Sequence, residues 1–222
     1  DLNQLLITLA EITPGDNVLD IASGAGEPSI SIALAVGPEG YVTALDASAE
    51  MLVGAKNRAE KMGLENMAFE NSPMESLPFE AASFDAVTCR FGLMSSTDPV
   101  LALQGARHVL KPGRKAAYMT HGTRATNTLF AVMWPAVSGF LGEDDDDSGA
   151  RRYRFSEKGS LEKVFREAGF THIEEREAAK INTREKDGRF WQTMLMRAFG
   201  TKLEGFDDAK MEALHTCIEE AF

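Results

Sequence analysis

The sequence predicts an α/β fold in which a doubly wound, mostly parallel sheet is followed by a helical cap. Short apolar runs alternate with helical segments over the first 120 residues or so, a pattern typical of parallel strands joined by helices. A glycine-rich turn follows the first apolar run, where such folds bring the backbone close to a ligand. Beyond residue 121 the alternation gives way to an apolar and aromatic segment, which indicates the cap.

The predicted elements follow one another in a regular order. Strands are predicted at 18–21, 41–45, 67–70, 84–90 and 115–120, and helices at 2–12, 28–36, 49–62 and 98–110. Further helices are predicted at 156–168, 189–199 and 209–222, and a sixth strand at 171–180. Turns rich in glycine and proline separate these elements, as at 13–16 and 37–40.

Composition narrows the class of protein. The chain has 222 residues, 44% of them apolar, which is enough for one α/β domain with a core. The net charge of −11 argues against a nucleic-acid partner, because phosphate binding needs a basic face. Two cysteines form no disulfide framework and suggest a reducing, cytoplasmic location. No apolar run is long enough to span a membrane, and the oligomeric state stays open.

The turn at 23–26, Ser-Gly-Ala-Gly, indicates the type of ligand. Ser29 stands where a dinucleotide motif has its third glycine, and Glu27 places a negative charge where a pyrophosphate would lie. Asp46, at the tip of the second predicted strand, is placed to accept hydrogen bonds from both hydroxyls of a ribose. The pattern favours a nucleoside with a cationic, phosphate-free tail, such as S-adenosylmethionine, and makes an NAD-dependent dehydrogenase the weakest alternative.

Four segments, in order over about residues 15 to 120, carry a family resemblance. They are 18–26 (VLDIASGAG), 45–48 (LDAS) with Met51-Leu52 behind it, 76–79 (SLPF) followed by 83–87 (SFDAV), and 109–113 (VLKPG). The chain resembles the class I S-adenosylmethionine-dependent methyltransferases, in the small-molecule group that includes the ubiquinone and menaquinone C-methyltransferases. The resemblance implies a Rossmann-like fold, with residues 1–121 as the cofactor-binding core of a single domain, 1–222. Residues 122–155 would then form a cap and acidic loop, and 156–222 the C-terminal helices and strand six.

The resemblance also implies a set of cofactor-binding residues. They are Asp20, Ala22, Ser23, Gly24, Gly26, Asp46, Ala47, Met51, Met74, Glu75, Arg90 and Phe91. The backbone of the glycine turn would face the methionine part of the cofactor, with Asp20 orienting the turn or meeting the amino group. Asp46 would hold the ribose, and Arg90 and Phe91 would present backbone carbonyls to the amino group.

The adenine side departs from the family pattern at Pro73, where a polar residue is usual. Proline offers neither a polar side chain nor an N–H, so the adenine edge would be met by the Met74 backbone and the Glu75 carboxylate. Ala47 and Met51 would flank the ring. A second departure, Arg114 after the Lys-Pro-Gly turn, is expected to be structural.

Simpler roles remain open for several of these residues. Asp46 is also placed to cap the following helix, and Asp20 to be a purely structural loop residue. Met51 is equally compatible with core packing, and Arg90 with an ion pair that never touches a ligand.

His121 is the candidate catalytic residue, because it ends the fifth predicted strand and a neutral imidazole takes up a proton near pH 7. The alternative is a histidine that only packs at a strand end. An acceptor pocket is expected in the region after that strand, lined by Phe130, Trp134, Tyr153 and Trp191, with ordinary core packing as the alternative. An aromatic lining implies a hydrophobic or aromatic small-molecule acceptor. No metal site is predicted, since an acidic run such as 143–147 is typical of a solvated loop.

The predicted reaction is methyl transfer to an oxygen, nitrogen or carbon of this acceptor. A protein or RNA substrate and a cofactor-binding protein that does not methylate, serving as a regulatory or scaffold partner, remain as alternatives. The chain begins at Asp1 rather than Met, and no candidate follows residue 181 for the antiparallel strand with which this fold normally ends. We therefore expect further segments at either end, and a targeting sequence stays open.

Overall fold

The computed structural model describes residues 1–143, 151–178 and 189–222. The chain divides into two compact units. The first comprises Asp1–His121 and Arg154–Glu177, and the second comprises Gly122–Tyr153 and Ala178–Phe222. Within the described residues, no helix combines the length and the apolar composition that a membrane crossing needs.

The first unit is built on a parallel sheet. Its strands are β1 (Asn17–Ile21), β2 (Tyr41–Asp46), β3 (Met67–Asn71), β4 (Phe84–Arg90) and β5 (Leu110–Met119), in the order β3-β2-β1-β4-β5. All four neighbouring pairs are parallel. Because β1 lies between β2 and β4, the strand order reverses there and leaves a crevice beyond the carboxyl ends, where α/β folds bind ligands.

Helices of the first unit cover both faces of this sheet. They are α1 (Leu2–Leu9), α2 (Ser29–Val36), α3 (Ala49–Lys61), α4 (Pro99–Val109) and α6 (Ser160–Glu167). The second unit contains α5 (Thr128–Leu141), α7 (Gln192–Phe199) and α8 (Asp208–Ala221). Val18 packs in a cluster with α1 and α2, whereas Leu19 and Ile21 pack in a cluster with α4 and α6. This alternation along β1 follows from the two-residue period of a strand and explains why the strand is apolar throughout.

Polar caps determine where two of these helices begin. The Ser48 hydroxyl accepts the Met51 N–H at the start of α3, and the Asp98 carboxylate accepts the Leu101 N–H at the start of α4. Pro99 occupies the first turn of α4, where a missing N–H carries no penalty. These caps fix the loops that lead from β2 and β4 into their helices.

The second unit is helical. Its core contains residues of α5, α7 and α8, which are Phe130, Met133, Trp134, Val137, Leu195, Phe199, Leu214 and Ile218, together with Trp191 and Leu203. The acidic residue Glu143 forms an ion pair with Lys202 in this unit, and residues 144–147 of the acidic run lie outside the described residues.

The predicted sixth strand is wrong for the residues that the structure describes. Residues 171–178 form no strand, and 179–180 lie outside the described residues. Glu175 instead accepts the backbone N–H groups of Gly159 and Glu162, at 3.0 and 3.2 Å, and so satisfies the start of α6. His172 has a left-handed backbone (φ 56°), which interrupts an extended run.

Candidate active site

The glycine turn after β1 has the conformation and the packing that require glycine. Gly24 and Gly26 have φ angles of +54° and +104°, which other residues rarely adopt. A Cβ on Gly26 would lie 2.9 Å from the Ile30 side chain and 3.3 Å from Ala55. Gly26 therefore lets the turn pack directly against α2 and α3.

Asp46 ties this turn to the end of β2. Its carboxylate accepts the Gly24 N–H and the Ser48 N–H, both at 2.8 Å, and the Ser23 N–H donates to the Leu45 carbonyl at 3.0 Å. A carboxylate offers about four acceptor positions, so two of them are left after these bonds. Asp46 thus holds the turn and keeps the capacity to accept further hydrogen bonds.

A cavity of about 300 Å³ lies at the carboxyl ends of the strands. It is lined by residues that follow or end β1, β2, β3 and β4, which are Ala22, Leu45, Asp46, Ala47, Ser72, Met74, Phe91, Gly92 and Ser95. Among these nine described residues, only Asp46 carries a charge. The cavity therefore suits a ligand with apolar and cationic parts better than one with phosphates.

Two lining residues hold left-handed backbone conformations without being glycine. Ala22 has φ 58° and Phe91 has φ 61°, at the ends of the neighbouring strands β1 and β4. Gly92 allows these ends to meet, because a Cβ there would lie 2.3 Å from the Ala22 Cβ and 2.8 Å from the Cys89 Sγ. Backbone conformations of this kind cost energy and cluster at ligand sites.

Asp20 lies beneath the turn and outside the cavity lining. It is fully buried, and its two oxygens accept hydrogen bonds from the hydroxyls of Ser29 and Thr88. Burial raises the pKa of Asp20 to about 6, against the opposing effects of these hydrogen bonds and of the Arg90 charge. The structure thus gives Asp20 a position that orients the turn.

Glu75 joins the loop after β3 to the loop after β4. Its Oε1 accepts the hydroxyl of Ser96 at 2.5 Å and the N–H and hydroxyl of Thr97 at 3.0 and 3.2 Å. Burial acts to raise the pKa of Glu75, but these hydrogen bonds hold it below its usual range. Met74 lines the cavity beside it.

His121 lies two residues after β5 and stacks on Phe91. The two ring centroids are 4.3 Å apart and the rings are within 8° of parallel. Since Phe91 lines the cavity, only the Phe91 ring separates the half-buried His121 imidazole from the cavity.

Comparison with known proteins identifies the family. The family described as "Methyltransferase domain" matches residues 12–169. The demethylmenaquinone methyltransferase of Listeria monocytogenes is 30% identical over 175 residues, which are 74% of each chain. The chain belongs to the class I S-adenosylmethionine-dependent methyltransferases. Its cofactor is accordingly S-adenosylmethionine.

Solved structures share the fold of this methyltransferase. The YcgJ protein of Bacillus subtilis has a TM-score of 0.62 at 23% identity, over 97% of this chain and 82% of that one. The [4+2]-cyclase SpnF has a TM-score of 0.64 at 18% identity, over 99% of this chain and 74% of that one. Because one of these proteins is named a cyclase, the fold alone does not specify the reaction, and methyl transfer rests on the family match.

The residues of the methyltransferase fit the charge of this cofactor. The nucleoside carries a positive sulfonium and no phosphate, and the lining of the cavity has one carboxylate and no cationic side chain among its described residues. In the turn, the Ser23 hydroxyl is buried and has no hydrogen-bond partner among the described residues, so the turn keeps one unsatisfied polar atom.

Of the cofactor residues expected from the sequence, some line the cavity and others support it. Ala22, Asp46, Ala47, Met74 and Phe91 are lining residues. Ser23, Gly24 and Gly26 form the adjoining turn, and Asp20 and Glu75 support the loops. The Arg90 guanidinium donates to Asn3 and to the Glu27 carbonyl, and Met51 is half exposed on α3. Their contact with the cofactor stays a prediction.

The set of cofactor residues expected from the sequence leaves out four residues of the methyltransferase cavity, which are Leu45, Ser72, Gly92 and Ser95. Leu45 and Ser72 lie at or just beyond the ends of β2 and β3, and this position at the carboxyl ends of strands could have identified them as site residues. Gly92 carries a weaker signal, because a glycine two residues after a strand is common in turns. Ser95 belongs to a short 3-10 turn, Leu93–Ser95, that no pattern predicts.

The expected acceptor residues lie in the second unit. Phe130, Trp134 and Trp191 are at most 6% exposed and belong to its hydrophobic core. Tyr153 is half-buried beside Arg152, and burial raises the pKa of its hydroxyl. Core packing therefore accounts for the three buried rings, and a role in an acceptor pocket stays a prediction.

Proposed function

We propose that this methyltransferase transfers a methyl group to a small hydrophobic or aromatic acceptor, with the cofactor in the cavity at the carboxyl ends of β1 to β4. The observation that carries the proposal is the lining of that cavity, in which Asp46 is the one charged side chain among the described residues. A lining with one negative charge favours a cationic nucleoside. The volume of about 300 Å³ lies at the lower end of the range for small-molecule sites.

The residues around the cavity have distinct proposed roles. The two acceptor positions left on Asp46 take the ribose hydroxyls, while Ala47 and Met74 lie against the adenine. The Glu75 Oε1 is engaged by Ser96 and Thr97, which leaves Oε2 for the adenine amino group. The backbone of the glycine turn faces the methionine part.

When bound, S-adenosylmethionine supplies a methyl carbon that its positive sulfur already activates. The protein has to align an acceptor nucleophile opposite that sulfur, and orientation of this kind supplies roughly 7–11 kcal/mol in favourable cases. An acceptor that loses a proton on methylation also needs a base. His121 is the proposed base, and its stacking on Phe91 fixes the plane of the imidazole beside the cavity.

The acceptor class is inferred from the relatives. The Listeria monocytogenes relative is named for demethylmenaquinone, a hydrophobic quinone. The methyl carbon is an electrophile, so the reactive ring must be electron-rich, as in the reduced quinol form. We infer an acceptor of this kind, with a ring carbon or an oxygen as the attacking atom.

Calorimetric titration with S-adenosylmethionine tests the cofactor site. Asp46→Ala removes a charged acceptor of hydrogen bonds, so we expect affinity to fall roughly 10- to 100-fold. Ser48→Ala is the matched control, because it removes a neighbouring side chain that caps α3 and does not line the cavity. Equal affinity of Asp46→Ala and wild type would contradict the proposed ribose contact.

Turnover with a panel of acceptors tests the reaction. We expect methylation of demethylmenaquinone in its reduced form and none in its oxidised form. His121→Gln is expected to lower kcat by about 10²- to 10⁴-fold while leaving the Kd of S-adenosylmethionine unchanged. A wild-type chain that binds the cofactor and methylates no acceptor of the panel would contradict the proposal and favour a regulatory or scaffold role.

A further inference from the structure

A polar network holds the outer side of the glycine turn. The Glu27 Oε1 pairs with the Arg58 guanidinium at 2.9 Å, and Oε2 accepts the Asn3 amide and the Ser31 hydroxyl, each at 2.8 Å. Arg58 also donates to the Ala25 carbonyl at 2.7 Å. Side chains of α3 and of α1 therefore both hydrogen-bond to the turn and hold it in place.

Asn3 connects this turn to the segment that follows β4. Its Oδ1 accepts Arg90 Nη1 at 2.6 Å, and Arg90 Nη2 donates to the Glu27 carbonyl at 3.2 Å. Arg90 is followed directly by Phe91, which lines the cavity with a left-handed backbone. The Asn3 side chain thus contacts Glu27, next to the glycine turn, and Arg90, next to the lining residue Phe91.

The chemistry of this position calls for an amide. The Asn3 amide nitrogen donates to the Glu27 carboxylate and, at 2.9 Å, to the Ser31 hydroxyl, and its oxygen accepts from the Arg90 guanidinium, so the position needs both donors and an acceptor. The residue is 9% exposed, which shields these hydrogen bonds from competing water. An aspartate of the same shape would keep the bond to Arg90 but would place a second negative charge against Glu27.

We propose that Asn3 is a positioning residue for the cofactor, which couples α1 to S-adenosylmethionine binding through Glu27 and Arg90. The inference rests on the cofactor site proposed above. Asn3 does not touch the cavity itself, and it acts by fixing the turn at 23–27 relative to the segment at 90–92. A purely structural role would lower thermal stability and leave the affinity of the folded protein unchanged.

Titration calorimetry with S-adenosylmethionine, with Tm measured alongside, tests this proposal. Asn3→Asp is expected to weaken binding roughly tenfold, the size of effect found for residues that act through others. The double variant Asn3→Asp/Glu27→Gln moves the negative charge from position 27 to position 3. The amide introduced at 27 then donates to the carboxylate introduced at 3, so affinity should return to within about threefold of wild type. Gln4→Glu, on the exposed side of α1, is the matched control for the added charge.

The possible outcomes are distinguishable. Weak binding by Asn3→Asp that the double variant restores supports the proposal. A lowered Tm with wild-type affinity in Asn3→Asp overturns it, as does an equal loss in Gln4→Glu. Failure of the wild type to bind S-adenosylmethionine overturns instead the cofactor site on which the inference rests. If Asn3→Asp does not fold, Asn3→Ala gives the same comparison, because it removes the hydrogen bonds of the Asn3 side chain to Glu27, Ser31 and Arg90 without adding charge.

Discussion

Asp20 and Asp46 lie at the ends of neighbouring strands, and the environment gives their carboxylates different roles. Asp46 is half-buried, accepts two backbone N–H groups and forms part of the cavity wall. Asp20 is fully buried, and its carboxylate accepts hydrogen bonds from the hydroxyls of Ser29 and Thr88 and from the Ser29 backbone. Full ionisation in such a site is costly, because neutral donors do not fully replace water around a charge.

The raised pKa of Asp20 predicts a specific dependence of stability on pH. At low pH the group is protonated in both states. Between its usual pKa of 3.8 and the folded value of about 6, the folded chain binds more protons than the unfolded chain, so stability falls as pH rises. Asp20→Asn removes this cost. Its free energy of unfolding, relative to wild type, should therefore increase by about 2 kcal/mol between pH 4 and pH 7 in urea titrations.

Asp85 provides a control of opposite sign. Hydrogen bonds and charges from Lys111 and Arg114 hold the pKa of Asp85 below its usual range, although burial acts to raise it. This group stabilises the fold above its unfolded pKa and loses that effect as pH falls. Asp85→Asn should therefore lose more stability at pH 7 than at pH 4. If the free energy of unfolding of Asp20→Asn and of wild type depended on pH in the same way, the raised pKa of the buried Asp20 would be contradicted.

At the scale of elements, the strands and helices of the first unit could be predicted because local signals agree. Apolar strands, glycine turns and caps such as Ser48 and Asp98 mark most boundaries to within a few residues. The exception is β5, which begins at Leu110, five residues before its predicted start. The sheet is confirmed as parallel, with helices packed on it, as the sequence predicts. The elements of the first unit can be predicted from one sequence because their local patterns agree with the overall fold.

The segment 171–178 was not predictable in the same way. Its alternating pattern favours a strand, but a strand also needs a partner, and periodicity cannot show one. Glu175 instead accepts hydrogen bonds from backbone N–H groups at the start of α6. The site shows the same limit, since Asp46 follows from its motif, whereas the link from Glu75 to Ser96 depends on how two loops meet in space. The role of Asn3 likewise depends on side chains far apart in sequence.

At the scale of the whole molecule, the family match and the two units do not coincide. The match covers residues 12–169, so it includes nearly all of the first unit and ends before the C-terminal helices of the second. The cavity belongs entirely to the first unit. The lining residues that we assign to the cofactor all lie within the matched range, which also includes residues 122–153 of the second unit. The dependence of acceptor choice on the second unit stays a prediction.

Cofactor binding should stabilise the first unit in a way that calorimetry can detect. A ligand at 100 times its Kd stabilises the folded state by about 2.7 kcal/mol, which raises the Tm by roughly 5–10 °C for a chain of this size. Both tryptophans, Trp134 and Trp191, lie in the core of the second unit, so their fluorescence follows that unit alone. We expect S-adenosylmethionine to raise the calorimetric transition of the first unit. At the same concentration of cofactor, Asp46→Ala should reduce this rise to about half or less. The proposed site would be contradicted if the cofactor raised the Tm of the fluorescence transition, which follows the second unit, and left the Tm of the first unit unchanged in calorimetry. Binding would then be assigned to the second unit.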